Sequence, residues 1–301
     1  MFDNICIIGC GLIGSSILRS INKNNLSKKT TVYDKSKEVL SFVKKEKLSE
    51  YIFNDIKLAV KDSDLIIIST PLSAYKEILL GIKDNLKKGS ILTDTGSVKK
   101  EINKIIENFN LQDISWIASH PIAGTEESGP ESGFAELFKD RWSIISPSEK
   151  SKEDQIVKLK SFWEALGSKV KIMNIKDHDY ILSLTSHLPH LIAYNIVKTA
   201  INNDEKFKEE IIKYSAGGLR DFTRIASSNP TMWRDIFLDN NDNILKVLDH
   251  FSENINEFKK AISEKNLEKL LKIFSSTKNI RKEIVRAGQD TSKPDFGRKK
   301  D

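Results

Sequence analysis

His120 and Ser97 are the side chains of this 301-residue chain best suited to moving a proton. His120 closes an apolar run, Trp116 to Ser119, and Pro121 after it biases the histidine toward extended backbone. A free imidazole titrates near about pH 6.5, so it can accept a proton at neutral pH. Ser97 lies in Asp94-Thr95-Gly96-Ser97-Val98-Lys99, after a second apolar run, Ile91 to Thr93. Taken singly, Ser97 reads as the cap of the helix that Lys99 begins, and a lone strand-end histidine as a structural hydrogen-bonder. Context changes that reading. Gly9-Cys10-Gly11-Leu12-Ile13-Gly14 fits the G-x-G-x-x-G phosphate fingerprint, follows a strand pattern and opens a helix. Gly9 permits the tight turn, Gly11 the close approach of a pyrophosphate, and Gly14 close packing of helix on strand. Asp34 ends the second strand pattern, twenty residues after Gly14, where a carboxylate accepts ribose hydroxyls and repels a 2′-phosphate. It favours NAD over NADP, with Lys35 and Lys37 acting against that preference. Thr70 and Pro71 follow the run Leu65 to Ser69, where open α/β sheets place ligand loops. A redox-cofactor site and a proton acceptor on one sheet edge point to a dehydrogenase.

The second half adds polar groups of another kind. Ser186-His187-Leu188-Pro189-His190 places two histidines one helical turn apart, with a proline expected to kink the helix. No carboxylate pattern accompanies them, so a metal site is not expected. Gly217-Gly218-Leu219-Arg220-Asp221-Phe222-Thr223-Arg224 puts two arginines beside an expected flexible turn, suited to capture of a carboxylate. Trp233-Arg234-Asp235 follows.

These groups need a scaffold, and the hydrophobic pattern supplies one. Strands are expected at Ile5 to Ile8, Thr30 to Tyr33, Leu65 to Ser69, Ile91 to Thr93, Trp116 to Ser119, Trp142 to Ile145 and Val170 to Met173. Helical patterns alternate with them, at Leu12 to Ile21, Lys35 to Lys47 and Asp154 to Leu166, the last stopped by Gly167. Alternation of this kind implies a Rossmann-like domain with a mostly parallel sheet. From about Ile175 only helices are expected: Asp177 to Lys198, Glu205 to Tyr214, Met232 to Asn240, Asn243 to Ser263 and Leu267 to Ala287. Apolar stripes on the last two, among them Phe251, Ile255, Phe258 and Ile262, imply completion of the core by a second copy. The expected division is a dinucleotide-binding domain 1–175, a helical substrate and dimerisation domain 176–288, and a flexible tail 289–301.

Composition narrows the class. With 39% hydrophobic and 30% charged residues the chain reads as globular, and its charge of +6 is spread over mixed segments such as Lys44-Lys45-Glu46-Lys47. Nucleic-acid binding is not expected, because no basic stripe with stacking aromatics goes with the charge. Cys6 and Cys10 read as buried thiols of a reducing compartment, and no signal peptide or membrane-spanning run is expected, so the protein is expected in the cytoplasm.

The ordered motifs together resemble the prephenate/arogenate dehydrogenases of tyrosine biosynthesis. The resemblance runs from Ile5 to about Asn240 and is carried by the fingerprint, Asp94 to Lys99, His120 to Gly129, Thr185 to His190 and Gly218 to Trp233. It implies NAD-dependent oxidative decarboxylation of prephenate to 4-hydroxyphenylpyruvate. Arogenate dehydrogenation to tyrosine, or action on both substrates, is the alternative. It further implies that His120 bonds the ring hydroxyl and Ser97 orients His120. Ser186, His190 and Arg224 form the substrate side, with Arg224 on a carboxylate. Glu126, beside Thr125, is an acidic gate able to pair with that arginine, and His187 and Trp233 are further pocket positions. A monofunctional homodimer is implied, without chorismate mutase or ACT domains. Two rivals share parts of the plan. A β-hydroxyacid dehydrogenase would need a lysine base in its helical half, and a cofactor-sensing module would have no use for His120, His190 and Arg224 together.

Overall fold

The computed structural model describes residues 1–202 and 207–286. The expected tail 289–301, and the ends of two expected helices at Glu205 and Ala287, lie outside the described residues. Among the described residues eight strands form one sheet in the order β3-β2-β1-β4-β5-β6-β7-β8. They are β1 Asn4–Ile8, β2 Lys29–Tyr33, β3 Tyr51–Phe53, β4 Leu65–Ile68, β5 Ile91–Asp94, β6 Ser115–Pro121, β7 Trp142–Pro147 and β8 Lys169–Ile172. All neighbouring pairs are parallel except β6 with β7. The first helices are α1 Leu12–Asn24, α2 Lys37–Lys45, α3 Ile56–Val60, α4 Tyr75–Ile82, α5 Lys100–Asn108 and α6 Glu153–Ala165.

Strand alternation builds two cores. Ile5, Ile7, Leu65, Ile67 and Ile117 point to one side, closed by Ile17, Leu18 and Ile21 of α1 and Leu159, Phe162 and Trp163 of α6. Cys6, Ile8, Ile66, Ile68 and Ala118 point to the other, closed by α4 and α5 through Tyr75, Leu79, Ile102 and Ile106. That is why β4 reads as the uninterrupted run Leu-Ile-Ile-Ile: a parallel strand covered on both faces has no polar side.

Two details of the sheet matter for chemistry. Chain order reverses between β1 and β4, which opens a crevice above the carboxyl ends of the strands. The β5–β6 ladder also ends early, at Leu92 and Trp116, after which β6 pairs with β7 as far as Pro121. His120 is therefore inside a strand, not in the turn after it, and is 8% exposed.

The helical half starts with α7 Ile175–Leu182, passes through a π turn at Ser183–His187 and continues as α8 Leu188–Asn202. The expected kink at Pro189 takes the form of this π turn. Leu188 donates to the Ser183 carbonyl, and the hydroxyls of Ser183 and Thr185 bond the Tyr180 and Ile181 carbonyls at 2.6 and 2.9 Å. A proline has no N–H to continue the ladder and crowds the carbonyl four residues back, so a widened turn relieves both problems. After α9 Lys208–Lys213 comes α10 Gly217–Thr223. Gly217 and Gly218 thus open a short helix and not the expected flexible turn, and the extended N-cap residue Ala216 sets its entry. Asn229 caps α11 Pro230–Asp239 by accepting from the Met232 N–H at 3.0 Å, with Pro230 at the favoured first position.

Residues Met1–Ile244 make one compact unit and those from Leu245 a second. The second contains most of α12 Asn241–Ser263 and all of α13 Leu267–Arg286, a helical hairpin. Phe258 stacks on Phe274 at 5.9 Å, and Lys269 pairs with Glu257 at 3.1 Å. Ile255, Ile262, Leu267, Leu271, Ile280 and Ile284 stay exposed on it. Among the described residues no helix is long and apolar enough to cross a membrane.

Candidate active site

The glycine fingerprint forms a cradle at the end of β1. Gly9 has φ +89°, and a Cβ there would stand 2.5 Å from the Ser69 carbonyl oxygen. A Cβ on Gly14 would lie 2.0 Å from the Gly9 carbonyl oxygen, whereas one on Gly11 would meet nothing within 4 Å. The open space at Gly11 leaves room for the close approach of a pyrophosphate. Helix α1 begins there with no side-chain cap and no acidic residue in its first turn, so its N–H groups and dipole face that space. Asp34 is held at the rim: its Oδ2 accepts from the Cys10 N–H at 2.7 Å and its Oδ1 from the Ser36 N–H at 2.9 Å. The cradle fits a dinucleotide. Gly14→Ala is expected to abolish dinucleotide binding in calorimetric titration and to lower stability by about 1–3 kcal/mol, the usual cost of overpacking. Wild-type affinity in a folded Gly14→Ala protein would show that this contact is not tight.

Where β6 parts from β5, a buried polar cluster replaces the missing ladder. Asp94 Oδ1 accepts from the Ser119 N–H at 2.9 Å, and its Oδ2 from the Gly96 N–H at 2.9 Å and the Tyr75 hydroxyl at 3.2 Å. Lys99, whose side chain is fully buried like that of Asp94, donates to the same Oδ2. Asp179 reaches over from α7 and caps α5, accepting from the Lys99 and Lys100 N–H groups at 2.9 Å each. The cap expected from Ser97 is thus provided by Asp179, and Ser97 is left on the cavity wall. His178 joins Asp179 to the candidate base: its Nδ1 is 2.7 Å from Asp179 Oδ1 and its Nε2 is 2.9 Å from His120 Nδ1.

Burial decides the charge states. It pushes His120 well below the ordinary histidine range, helped by His178, Lys99 and His187, so the ring is neutral and free to take a proton. Burial lowers His178 as well, against the pull of Asp179. In Asp179 burial acts upward, but hydrogen bonds from His178 and from the Lys99 and Lys100 backbone hold the carboxyl below its usual range, and it is ionised.

A cavity of about 770 Å³ runs from the cradle to the helical half. Gly11, Leu12, Ile13, Thr70 and Pro71 line one end, and Ser186, His190, Arg224 and Trp233 the other, with Ser97, His120, Thr125 and Glu126 between. His190 stacks on Trp233 with ring centres 3.7 Å apart, and its Nδ1 lies 2.9 Å from the Ser186 carbonyl. That carbonyl can only accept, so Nδ1 carries the hydrogen and Nε2 is the acceptor. Arg224 Nη1 donates to Glu126 Oε2 at 2.9 Å. His187 is elsewhere: fully buried, pushed down to about 4 by burial, its Nδ1 3.1 Å from the Asn240 side-chain amide. Lys139 and Arg141, not singled out in the sequence, add cations to the wall. Among the described residues no group of three His, Cys, Asp or Glu side chains could hold a metal ion.

One end of this cavity is shaped to accept phosphates, the other offers an arginine to an anion, and a neutral imidazole stands between. A dehydrogenase acting on an anionic hydroxy compound is the class of enzyme that needs all three. The nucleotide-binding domain of prephenate dehydrogenase matches residues 17–172, and the dimerization domain of the same enzyme matches residues 174–276. The chain belongs to the prephenate dehydrogenase family. It is 37% identical to the cyclohexadienyl dehydrogenase of Zymomonas mobilis, over 93% of this chain and 96% of that one. It is 29% identical to the prephenate dehydrogenase of Bacillus subtilis, over 93% of this chain and 76% of that one. Among solved structures it is similar to prephenate dehydrogenase from Aquifex aeolicus in complex with hydroxyphenyl propionate and NAD+, with a TM-score of 0.87, 32% identity, and coverage of 94% and 99%.

Proposed function

We propose that this enzyme oxidises prephenate with NAD to 4-hydroxyphenylpyruvate and CO2, with His120 as the base. The observation that carries the reading is a neutral, buried His120 on the same cavity wall as the glycine cradle and Arg224. NAD bound at the glycine cradle would supply the acceptor for a hydride from the ring carbon that bears the hydroxyl. His120 takes the hydroxyl proton as the carbon–oxygen double bond forms. The ring carboxylate then leaves as CO2, because its electrons complete an aromatic ring. Arg224 holds the side-chain carboxylate, and Ser186, His190 and Trp233 form the wall against which the substrate lies. Ser97 lines the same cavity as His120, and its role is to help orient the base. The dinucleotide side is built from 1–175 and the substrate and dimer side from 176–288. The exposed apolar stripe on α12 and α13, most of it within the region matched to the family's dimerization domain, supports a homodimer. Two buried free thiols, pushed up to about 12 by burial, accord with the cytoplasm.

The test is appearance of reduced nicotinamide absorbance when protein, NAD and prephenate are mixed, repeated with arogenate. Activity with prephenate is expected, and activity with neither substrate would overturn the reading. Asp34 supports NAD over NADP. Asp34→Ser is expected to raise kcat/KM for NADP relative to that for NAD, because ribose hydrogen bonds and phosphate repulsion vanish together. A wild-type enzyme that prefers NADP would contradict the role given to Asp34.

A further inference from the structure

We propose that His178 and Asp179 are positioning residues that fix the tautomer of His120 and share the proton it receives. This rests on the reading of His120 as the base. The argument is a count of donors along a buried chain of hydrogen bonds. Asp179 is ionised and can only accept, so the 2.7 Å contact to His178 Nδ1 requires a hydrogen on that nitrogen. Neutral His178 then has a bare Nε2. The 2.9 Å contact from His178 Nε2 to His120 Nδ1 must be donated by His120. His120 is thereby left with a bare Nε2, the one nitrogen able to take up a substrate proton. Nothing in His120 itself selects this tautomer, since a free imidazole carries its hydrogen on either nitrogen.

The same chain deals with the proton afterwards. With both histidines neutral, Asp94, Lys99 and Asp179 together hold one uncompensated negative charge in a site with almost no solvent. A proton arriving at His120 Nε2 cancels it. The Nδ1 hydrogen of His120 can shift to His178 Nε2, and the His178 Nδ1 hydrogen moves toward Asp179 Oδ1, so the positive charge spreads over two rings. No bond other than N–H and O–H changes, and no co-reactant is needed. The pair takes up one proton as a unit. The position of Asp179 is secured independently, by the two α5 N–H groups it caps.

The test combines spectroscopy of the resting enzyme with one substitution at Asp179 and two at His178. In histidine-labelled wild type, nitrogen-15 NMR is expected to place the His120 hydrogen on Nδ1. Asp179→Asn presents an amide donor, reverses the chain and moves that hydrogen to Nε2. In this variant kcat is expected to fall roughly 10²–10⁴-fold, the range for general acid–base groups, with the upper end matching the aspartate-to-asparagine change in a serine protease triad. Prephenate KM and NAD affinity should stay within about twofold. Should Asp179→Asn fail to fold, His178 carries the test alone. His178→Gln retains an oxygen to accept from His120 Nδ1, and is expected to be at least about tenfold faster than His178→Leu, at equal thermal stability. A wild-type His120 with its hydrogen on Nε2, or equal losses in His178→Gln and His178→Leu, would overturn the proposal. The NMR result does not depend on turnover, so it stands apart from any failure of prephenate as substrate.

Discussion

His120→Asn is expected to lower kcat by roughly 10²–10⁴-fold while prephenate KM changes little. Asparagine has similar size and can still bond His178, but it has no nitrogen that takes up a proton at neutral pH. Without a base to take the hydroxyl proton the carbonyl forms less readily as hydride leaves, so the loss falls on the chemical step. Burial adds a pH signature. A free histidine would begin to protonate below about pH 6.5 and lose its function as a base. In His120 burial, His178 and Lys99 push the pKa down, so the base stays neutral as the pH falls through that value. The wild-type kcat should therefore hold level through about pH 6.5 and fall only at more acidic pH. Steady-state rates across pH measure both effects. A folded, NAD-binding His120→Asn enzyme with wild-type turnover would remove His120 from the mechanism.

The second large effect is expected at Arg224. Arg224→Ala should raise prephenate KM by roughly 30-fold, about 2 kcal/mol, with NAD affinity unchanged. A hydrogen-bonded guanidinium–carboxylate pair is worth more than this in a dry site. Two things reduce it here: the Arg224 side chain is 42% exposed, and it must leave Glu126 before it can hold a substrate. Arg224→Lys should recover only part of the loss, because an ammonium lacks the planar fork that matches a carboxylate. Measured affinities for NAD and prephenate separate the roles. An equal fall in both would make Arg224 a structural residue.

What could be read from the sequence was what is local along the chain. The fingerprint at Gly9 to Gly14 needs only a strand, a tight turn and a helix, and six adjacent residues encode it. The long helices α12 and α13 announce themselves by periodicity. The three-residue β3 was not visible, because Tyr51–Phe53 is too short to show an alternation. Gly217-Gly218 looked like a turn because glycine is a poor helix former, yet the first positions of a helix tolerate it well. The main omission was His178. It is 58 residues from His120, and only the packing of α7 against the end of β6 brings the two rings together. Asp177-His178-Asp179 is, along the chain, an ordinary polar start of a helix. Taken singly, Ser97 looks like a cap for the same reason: nothing local shows that a carboxylate from eighty residues away takes that place.

The π turn at Ser183–His187 has a consequence for helical phase. Each α-helical residue advances the side-chain direction by roughly 100°. His178 and His190 are twelve residues apart, which in an unbroken α-helix would turn them roughly 120° from each other. A π turn absorbs one extra residue, so the rotation between them is that of about eleven, and the two rings come within roughly 20° of a common direction. One stretch of helix can therefore serve His120 with its first histidine and the substrate cavity with its second. The widened turn acts as a phase corrector, and the side-chain spacing of the site depends on a local irregularity in the backbone as much as on the residues themselves.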